Sequence, residues 1–354
     1  MSLLNPKEIG LSSDRSDVSS DLWAITCYFN PCNYRNRRNG YETFRKHLQV
    51  PLLTVELSFT GEFHLNDGDA DKLIRLTSSD VMWQKERLLN LAVEALPDSC
   101  DKVCWIDCDI VFGNNDWPQL AREALERHQV IQPFQFSYDL EPGMSGPEFS
   151  EASYSRRCES LVSLYLRGGL PEDHIKIPDK RAIGITPGYA WAARRDLLLK
   201  HTLYDPCIVG GGDGPILTGF FGNFQDIIEY LSMNPRRVEH FMEWAEAIYQ
   251  DVSGDVGYIP VSIYHLWHGE IENLNYKQRR MELERHAFDP YEDIAIASNG
   301  CWRIKPNQRS DIGFESVEIQ GFWGSTNIPF DNFYLLLLLE EQLPLNSPNF
   351  SLWS

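Results

Sequence analysis

Apolar and polar segments alternate over residues 22–136 in a pattern that predicts strands and helices in turn. Continuous apolar runs predict buried strands over Leu22–Phe29, Pro51–Phe59 and Val130–Phe136. Apolar residues at helical spacing predict a helix over Trp83–Leu96, and two further helices are predicted over Tyr41–His47 and Gln119–His128. Strands that alternate with helices in this way predict an α/β fold, with a mostly parallel central sheet and helices on both faces.

One further apolar run, Val103–Phe112, contains two carboxylates, Asp107 and Asp109. It predicts a buried strand with both acids at or near its C-terminal end, the edge of an α/β sheet where ligand sites form. Burying an unpaired charge is costly, so the two acids together indicate a bound cation. Side chains i and i+2 of a strand point the same way, so both acids can reach one Mg²⁺ or Mn²⁺ ion. The alternative is two solvated acids at a strand end.

Two later segments offer groups for acid–base chemistry or metal binding. His265 and His268 follow a predicted strand over Val256–Tyr264, and imidazole is a common ligand for Mn²⁺-type sites. Ordinary loop histidines are the alternative. Asp213 lies in the glycine-rich run 209–215, where a carboxylate held out from the chain suits a general base. A flexible turn with a solvated aspartate is the alternative there.

Several basic residues are candidates for contact with phosphate groups, although most surface arginines are simply solvated. They are Arg35, Arg37, Arg38, Arg194 and Arg195. Lys85 precedes the acidic strand and is a candidate for contact with a nucleotide. The stronger interpretation of the segment 83–87 is the charged first turn of an amphipathic helix.

The charge and the apolar content limit the partners of the chain. Its 354 residues carry a formal net charge of −19, which argues against nucleic acid or an anionic membrane surface as a partner. A hydrophobic content of 43% agrees with a well-formed core. The N-terminus lacks the apolar core of a secretion signal, and no apolar run is long enough for a transmembrane segment.

The eight cysteines include no CxxC pair, and they predict buried free thiols and a cytoplasmic location. A metal cluster is the alternative for Cys100, Cys104 and Cys108, which are spaced four residues apart.

The order of these segments resembles that of the GT-A glycosyltransferases, which have a Rossmann-like fold and use nucleotide-sugar donors. The stretch WIDCDIVFGNNDW is similar to the DxD segment of that class, GGGD to its acid/base position, and HLWHG to its late metal-binding histidine. The resemblance covers about residues 22–290. Residues 1–20 are polar and rich in serine and aspartate, which predicts a flexible tail. We expect a catalytic domain over 21–294 and a C-terminal extension over 295–354 that packs on this domain.

The resemblance also implies a role for each candidate residue. Asp107 would face the nucleotide ribose or the metal, and Asp109 would bind Mn²⁺ or Mg²⁺ together with His265 or His268. Asp213 would deprotonate the hydroxyl group of a carbohydrate or other acceptor, if the reaction inverts. The donor, for which a UDP-sugar is the first choice, would contact Arg35 and Lys85. Thr26, Tyr28 and Asn30 would surround its base.

Two other functions remain open from the sequence. A phosphatase or phosphotransferase of the haloacid-dehalogenase type would use Asp107 as nucleophile, because Asp107–Val111 also matches the pattern DxDx[TV]. That motif usually lies on the first strand, whereas about 85 residues of α/β pattern precede it here. The other alternative is a sugar-binding protein that has lost its activity.

Overall fold

The computed structural model of the chain describes residues 10–14, 20–31, 33–144, 154–169, 180, 183–267 and 283–306. The helices of this part are α1 Arg35–Lys46, α2 Lys85–Ala95, α3 Trp117–Leu125, α4 Leu161–Leu166, α5 Arg195–His201, α6 Asp213–Phe221, α7 Phe224–Tyr230 and α8 Pro235–Val252. The first strands are β1 Gly10–Asp14, β2 Leu22–Tyr28, β3 Leu52–Ser58, β4 Lys72–Thr77, β5 Lys102–Ile106, β6 Ile110–Phe112, β7 Val130–Gln132 and β8 Phe136–Leu140. They are followed by β9 Tyr154–Ser160, β10 Ile185–Thr186, β11 Ala190–Arg194, β12 Val256–Tyr258, β13 Ser262–His265, β14 Ile294–Ile296 and β15 Trp302–Ile304.

The central sheet has eight strands in the order β1-β4-β3-β2-β5-β11-β7-β12. Strands β4, β3, β2 and β5 are parallel, and so are β7 and β12. Strand β11 runs antiparallel between β5 and β7, and β1 is an antiparallel edge strand. The predicted α/β fold with a mostly parallel sheet is therefore confirmed.

Helices cover both faces of this sheet, as predicted. Successive side chains of β2 point to opposite faces. Trp23 and Ile25 pack with the apolar residues of α2, while Leu22 and Ala24 pack with those of α1 and α3. The alternation buries both sets, and this burial is the main favourable term that holds the helices to the sheet.

The strand order reverses beside β2. From β2 the chain continues outward to β3 and then to β4, but it returns to the opposite side of β2 to form β5. In an open α/β sheet, ligands bind outside the carboxyl ends of the strands at such a reversal. The carboxyl ends in question are Tyr28 on β2 and Ile106 on β5.

A second sheet, in the order β10-β9-β8-β13-β6, was not predicted. The predicted single strand 103–112 in fact divides between the two sheets, with β5 in the first and β6 in the second. Residues 107–109 form the turn between them, where the amide of Ile110 donates to the carbonyl of Asp107 at 3.1 Å. The expectation that both acids alternate along one strand was therefore wrong.

The first and last segments of the described part add to the central sheet or its helices. Gly10–Asp14, inside the predicted flexible tail, pairs with β4. The hairpin β14–β15 packs against α2, where the backbone amide of Trp302 donates to the side-chain carbonyl of Gln84 at 2.7 Å. The rest of the predicted extension, 307–354, lies outside the described residues, and the predicted domain division stays a prediction.

The described helices include none with the length and apolar character needed to cross a membrane. Seven cysteines lie in the described part, and all are free thiols: Cys27, Cys100, Cys104, Cys108, Cys158, Cys207 and Cys301. Cys32 lies outside it.

Candidate active site

The turn after β5 lies at the centre of the candidate site. The amide of Asp107 donates to the carbonyl of Tyr189 at 2.8 Å, which holds this turn against the residues that enter β11. The ammonium of Lys85 lies 2.6 Å from Oδ1 of Asp107 and 3.5 Å from Oδ1 of Asp213. The carboxylates of Asp107 and Asp213 remain about one-third exposed, so a ligand can reach both.

The predicted charged turn at the start of α2 is present, but most of its side chains are buried. Gln84 and Glu86 are 0% and 2% exposed. Arg87 donates to the carbonyl of Gly300 at 2.5 Å and pairs with Asp205 at 3.2 Å. Of the charged groups in this segment, Arg87 is therefore bonded to the turn of the hairpin β14–β15, whereas Lys85 faces Asp107 and Asp213.

The charges around Lys85 determine its protonation. Burial alone would lower the pKa of Lys85, but Asp107, Asp213 and Glu86 together raise that pKa well above its ordinary value. For Asp107, burial raises the pKa, Lys85 opposes this, and the negative charges of Asp213 and Asp109 add to it. Lys85 is thus a fixed cation between two carboxylates that face solvent.

Asp213 is the first residue of α6 and does not belong to a flexible turn. Two of the three glycines before it, Gly210 and Gly211, have φ angles of +84° and +81°, which glycine adopts without strain. A Cβ atom at Gly188 would lie only 2.6 Å from Oδ2 of Asp213, so a larger residue there would displace the carboxylate. The glycine run therefore positions Asp213 at a helix N-terminus opposite Lys85.

Glu86 is a site residue that the sequence reasoning missed. Its Oε2 atom is buried without a hydrogen-bond partner. Burial raises the pKa of Glu86 to about 8, although Lys85 opposes this increase. A Cβ atom at Gly212 would collide with its carboxyl group, which shows how closely Glu86 lies against the turn before Asp213. In sequence it looked like an ordinary acid in the first turn of a helix.

His265 lies at the end of β13 on the other side of Asp109. Its Nε2 atom is 3.9 Å from Oδ1 of Asp109, and its Nδ1 atom is 3.2 Å from Oδ1 of Asp139. The amide of Leu266 donates to the carbonyl of Asp109 at 2.9 Å, so backbone contacts also hold the two segments together. The other predicted ligand, His268, lies outside the described residues.

The donor atoms here fit a metal ion that completes its coordination with substrate phosphates and water. Within the described residues, no group of three or more histidine, cysteine or acidic side chains forms a full set of metal ligands. Mg²⁺ is commonly held by only one or two carboxylates together with substrate phosphates, and imidazole suits Mn²⁺. Asp109 and His265 provide one oxygen and one nitrogen donor that face each other.

A cleft with a volume of about 100 Å³ opens at the carboxyl ends of β2 and β3. Tyr28 and Asn30, both predicted to contact the donor, line it together with Glu56 and His64. The prediction for Thr26 was wrong, because this residue is 1% exposed and its hydroxyl donates to the carbonyl of Ile106 at 2.7 Å. Thr26 holds β2 to β5 instead.

The predicted arginines are distributed over other parts of the surface. Arg35 is exposed in the first turn of α1 and is not part of the cleft lining. Arg194 and Arg195 donate to backbone carbonyls, so they stabilise local structure. Arg38 pairs with Asp69 at 2.9 Å, and Arg37 lies over the ring of Phe29.

No family model and no curated protein sequence matches the chain. Among solved structures, it is similar to Staphylococcus aureus TarS in complex with UDP-GlcNAc, at 11% identity and a TM-score of 0.37. That alignment covers 75% of this chain and 65% of the TarS chain, slightly less than two thirds of it.

The chain is also similar to Mycobacterium tuberculosis glucosyl-3-phosphoglycerate synthase in complex with Mn²⁺, UDP and phosphoglyceric acid. The identity is 12% and the TM-score 0.37, with 80% of this chain and 86% of that chain covered. A third match is 4-diphosphocytidyl-2C-methyl-D-erythritol synthase from Anaerococcus prevotii. It has 9% identity and a TM-score of 0.30, and the alignment covers 69% of this chain and 88% of that one.

Proposed function

We propose that the chain is a metal-dependent glycosyltransferase of the GT-A type, which transfers a sugar from a nucleotide-sugar donor to an acceptor hydroxyl. The observation that carries this proposal is the convergence of three groups at the strand-order reversal. These groups are the acidic turn Asp107–Asp109, the histidine His265 and the helix-terminal carboxylate Asp213. A cytoplasmic location remains a prediction, and the free thiols of the described part agree with it.

The cleft beside β2 and β3 suits the nucleoside part of the donor. Its lining includes Tyr28, Asn30 and Glu56, which are at most 7% exposed, so a base or ribose would meet mainly the half-buried ring of Phe59 and the exposed side chain of Thr60. Asp107 lies after β5, the next strand of the sheet, and its carboxylate is suited to hydrogen-bond the ribose hydroxyls. We propose UDP as the nucleotide part of the donor.

The diphosphate would lie between the cleft and Asp109. Asp109 and His265 would hold Mn²⁺ or Mg²⁺, which, when bound, supplies Lewis-acid stabilisation of the diphosphate leaving group. Lys85 orients the carboxylates of Asp107 and Asp213 through its two short contacts. It also offsets part of the negative charge that would otherwise repel an anionic donor.

Asp213 is positioned to act as general base in an inverting reaction. Its carboxylate is about one-third exposed, so an acceptor hydroxyl can approach it and transfer a proton to it as the new glycosidic bond forms. Glu86 lies behind Asp213 and is almost fully buried, which places it outside contact with the acceptor.

A thermal-shift panel of UDP-, GDP-, CMP- and dTDP-sugars, each with and without Mn²⁺, tests the proposal. We expect one donor class to stabilise the protein only when Mn²⁺ is present, because the ion joins the diphosphate to the acidic turn. Hydrolysis of that donor in the absence of an acceptor provides a second readout. If no nucleotide-sugar stabilises the protein and phosphate esters are turned over instead, the phosphatase alternative replaces the glycosyltransferase.

A further inference from the structure

A connected group of three buried side chains lies behind Asp109, on the second sheet and at the entry to β11. The hydroxyl of Tyr189 donates to Oδ1 of Asp139 at 2.7 Å, and the same oxygen is 3.2 Å from Nδ1 of His265. Tyr189, Asp139 and His265 are 4%, 7% and 8% exposed. Tyr189 also packs its ring against the imidazole, with the ring centroids 4.7 Å apart.

The hydrogen bonds in this group determine where His265 carries its proton. A carboxylate oxygen can only accept, and the hydroxyl proton of Tyr189 is already directed at Asp139. The short contact between Nδ1 and Asp139 therefore requires the proton on Nδ1. In the neutral imidazole this leaves the lone pair on Nε2, which faces Oδ1 of Asp109 at 3.9 Å. Two acceptors that face each other at this distance attract a cation between them.

The backbone of Tyr189 connects this group to the other half of the site. Its φ angle is +77°, an uncommon conformation for a residue other than glycine, and one that costs about 1–3 kcal/mol in general. The carbonyl of Tyr189 accepts from the amide of Asp107 at 2.8 Å. The preceding residue, Gly188, lies against the carboxylate of Asp213. Tyr189 thus contacts the acidic turn through its backbone and the Asp139–His265 pair through its side chain.

We propose that Asp139 and Tyr189 are positioning residues that fix His265 as its Nδ1-protonated tautomer and direct its Nε2 atom at a divalent cation shared with Asp109. The inference about the cation rests on the proposed function, whereas the inference about the tautomer rests on the hydrogen bonds alone. A carboxylate that accepts from the second nitrogen of a metal-binding histidine is a general way to orient that ligand and raise its basicity.

The test uses Asp139→Asn and Tyr189→Phe, with Tyr138→Phe as the matched control. Tyr138 neighbours Asp139 on β8, but its ring stacks with Tyr264 at 5.6 Å, outside the Asp139–His265 pair. Two measurements are made on each protein: ¹⁵N–¹H correlation spectra of the imidazole without metal, and Mn²⁺ affinity by electron paramagnetic resonance. Circular dichroism confirms that each variant is folded.

We expect the wild type to show the Nδ1-protonated form. The Mn²⁺ affinity should fall about 10- to 100-fold in Asp139→Asn and roughly 2- to 10-fold in Tyr189→Phe, with Tyr138→Phe unchanged. An Nε2-protonated wild type, a wild type that does not bind Mn²⁺, or two variants with unchanged affinity would overturn the proposal. Mn²⁺ binding without stabilisation by any nucleotide-sugar would contradict the proposed function and leave this inference in place.

Discussion

At the scale of single residues, the site gathers more negative than positive charge. The side chains of Asp107, Asp213 and Glu86 all act on one ammonium, that of Lys85. Burial and the negative charge of Asp213 both raise the pKa values of Asp107 and Glu86, so the cluster gains from any further cation that enters it. The net charge of −19 does not reveal this acidic cluster, because it counts buried and solvated acids alike.

The first prediction at this scale concerns Asp109. Asp109→Ala should abolish the Mn²⁺-dependent part of the thermal shift with a nucleotide-sugar, since it removes one of the two proposed protein ligands. The fold should persist, because the backbone carbonyl of Asp109, which accepts from Leu266, is retained. Asp116→Ala, an exposed acid whose side chain makes no cap hydrogen bond, is the control. A shift that survives in Asp109→Ala excludes Asp109 as a ligand.

The second prediction concerns the pH dependence that Glu86 introduces. Its pKa is raised from 4.5 to about 8 in the folded protein, so the folded state keeps this proton where the unfolded chain has released it. The free energy of unfolding of the wild type should therefore fall, relative to Glu86→Gln, as the pH rises from about 4.5 to about 8. Each pKa unit corresponds to about 1.4 kcal/mol.

Urea denaturation of both proteins across that pH window measures the effect. Glu94→Gln, which changes a half-buried acid of the same helix, is the control. If the difference in stability between wild type and Glu86→Gln stays constant from acid to weakly alkaline pH, the pKa of Glu86 is not raised in the folded protein.

Site residues that lie in a short segment of unusual composition could be predicted from the sequence. Those that meet only in the folded structure could not. Asp107, Asp109 and Asp213 lie in short segments whose composition is unusual by itself. By contrast, Asp139 and His265 are 126 positions apart and meet only because β8 and β13 are paired. Glu86 acquires its significance from burial, which helical periodicity did not indicate.

At the scale of elements, three predicted strands proved to be pairs of strands in two different sheets. The predicted run 103–112 divides into β5 and β6, 130–136 leads from β7 into β8, and 256–264 divides into β12 and β13. The residues of both members of each pair are buried or half-buried, so the apolar pattern continues across the junction. Hydrophobicity could therefore locate these segments but could not show where the chain passes from one sheet to the other.

A prediction at this scale tests the fit between the entry to β11 and the start of α6. Gly188→Ala would place a Cβ atom 2.6 Å from Oδ2 of Asp213, so the carboxylate must move. We expect kcat to fall by about 10-fold or more, as displacement of a catalytic group by about 1 Å can cost 100-fold. The melting temperature should change little.

Steady-state kinetics with the donor identified by the thermal-shift panel measure this effect. Gly68→Ala is the control, because a Cβ atom at Gly68 meets nothing within 4 Å and its backbone is not in the left-handed region. An unchanged kcat in Gly188→Ala would show that catalysis does not depend on the observed position of the Asp213 carboxylate.

At the scale of the whole molecule, a segment from near the described C-terminal end completes the surroundings of α2. Arg87 donates to Gly300, and the ring of Trp302 lies 5.7 Å from its guanidinium. The indole nitrogen of Trp302 donates to the carbonyl of Asp205 at 3.1 Å. The hairpin β14–β15 therefore contributes to the stability of the helix that presents Lys85 to the site.

The prediction at this scale is that Arg87→Gln lowers the free energy of unfolding by about 3–5 kcal/mol, the usual cost of removing one partner of a buried ion pair. Asp205 would lose its cationic partner while remaining bonded to Asn90. The exposed pair of Lys200 and Asp251 provides the control, and Lys200→Gln should cost about 1 kcal/mol or less. Equal losses in denaturant titrations of the two variants would contradict this account.

The three short passages between the sheets have a mechanical consequence. Each consists of three residues, namely 107–109, 133–135 and 259–261. Strands β5, β7 and β12 of the first sheet continue as β6, β8 and β13 of the second. In the first sheet β7 lies between β5 and β12, with β11 inserted beside β5. In the second sheet β13 lies between β6 and β8. Because the strands joined by these connections follow a different order in the two sheets, the sheets cannot rotate apart as rigid bodies about one hinge axis. Asp107 and His265 belong to one cooperative body, whose two halves are expected to melt together.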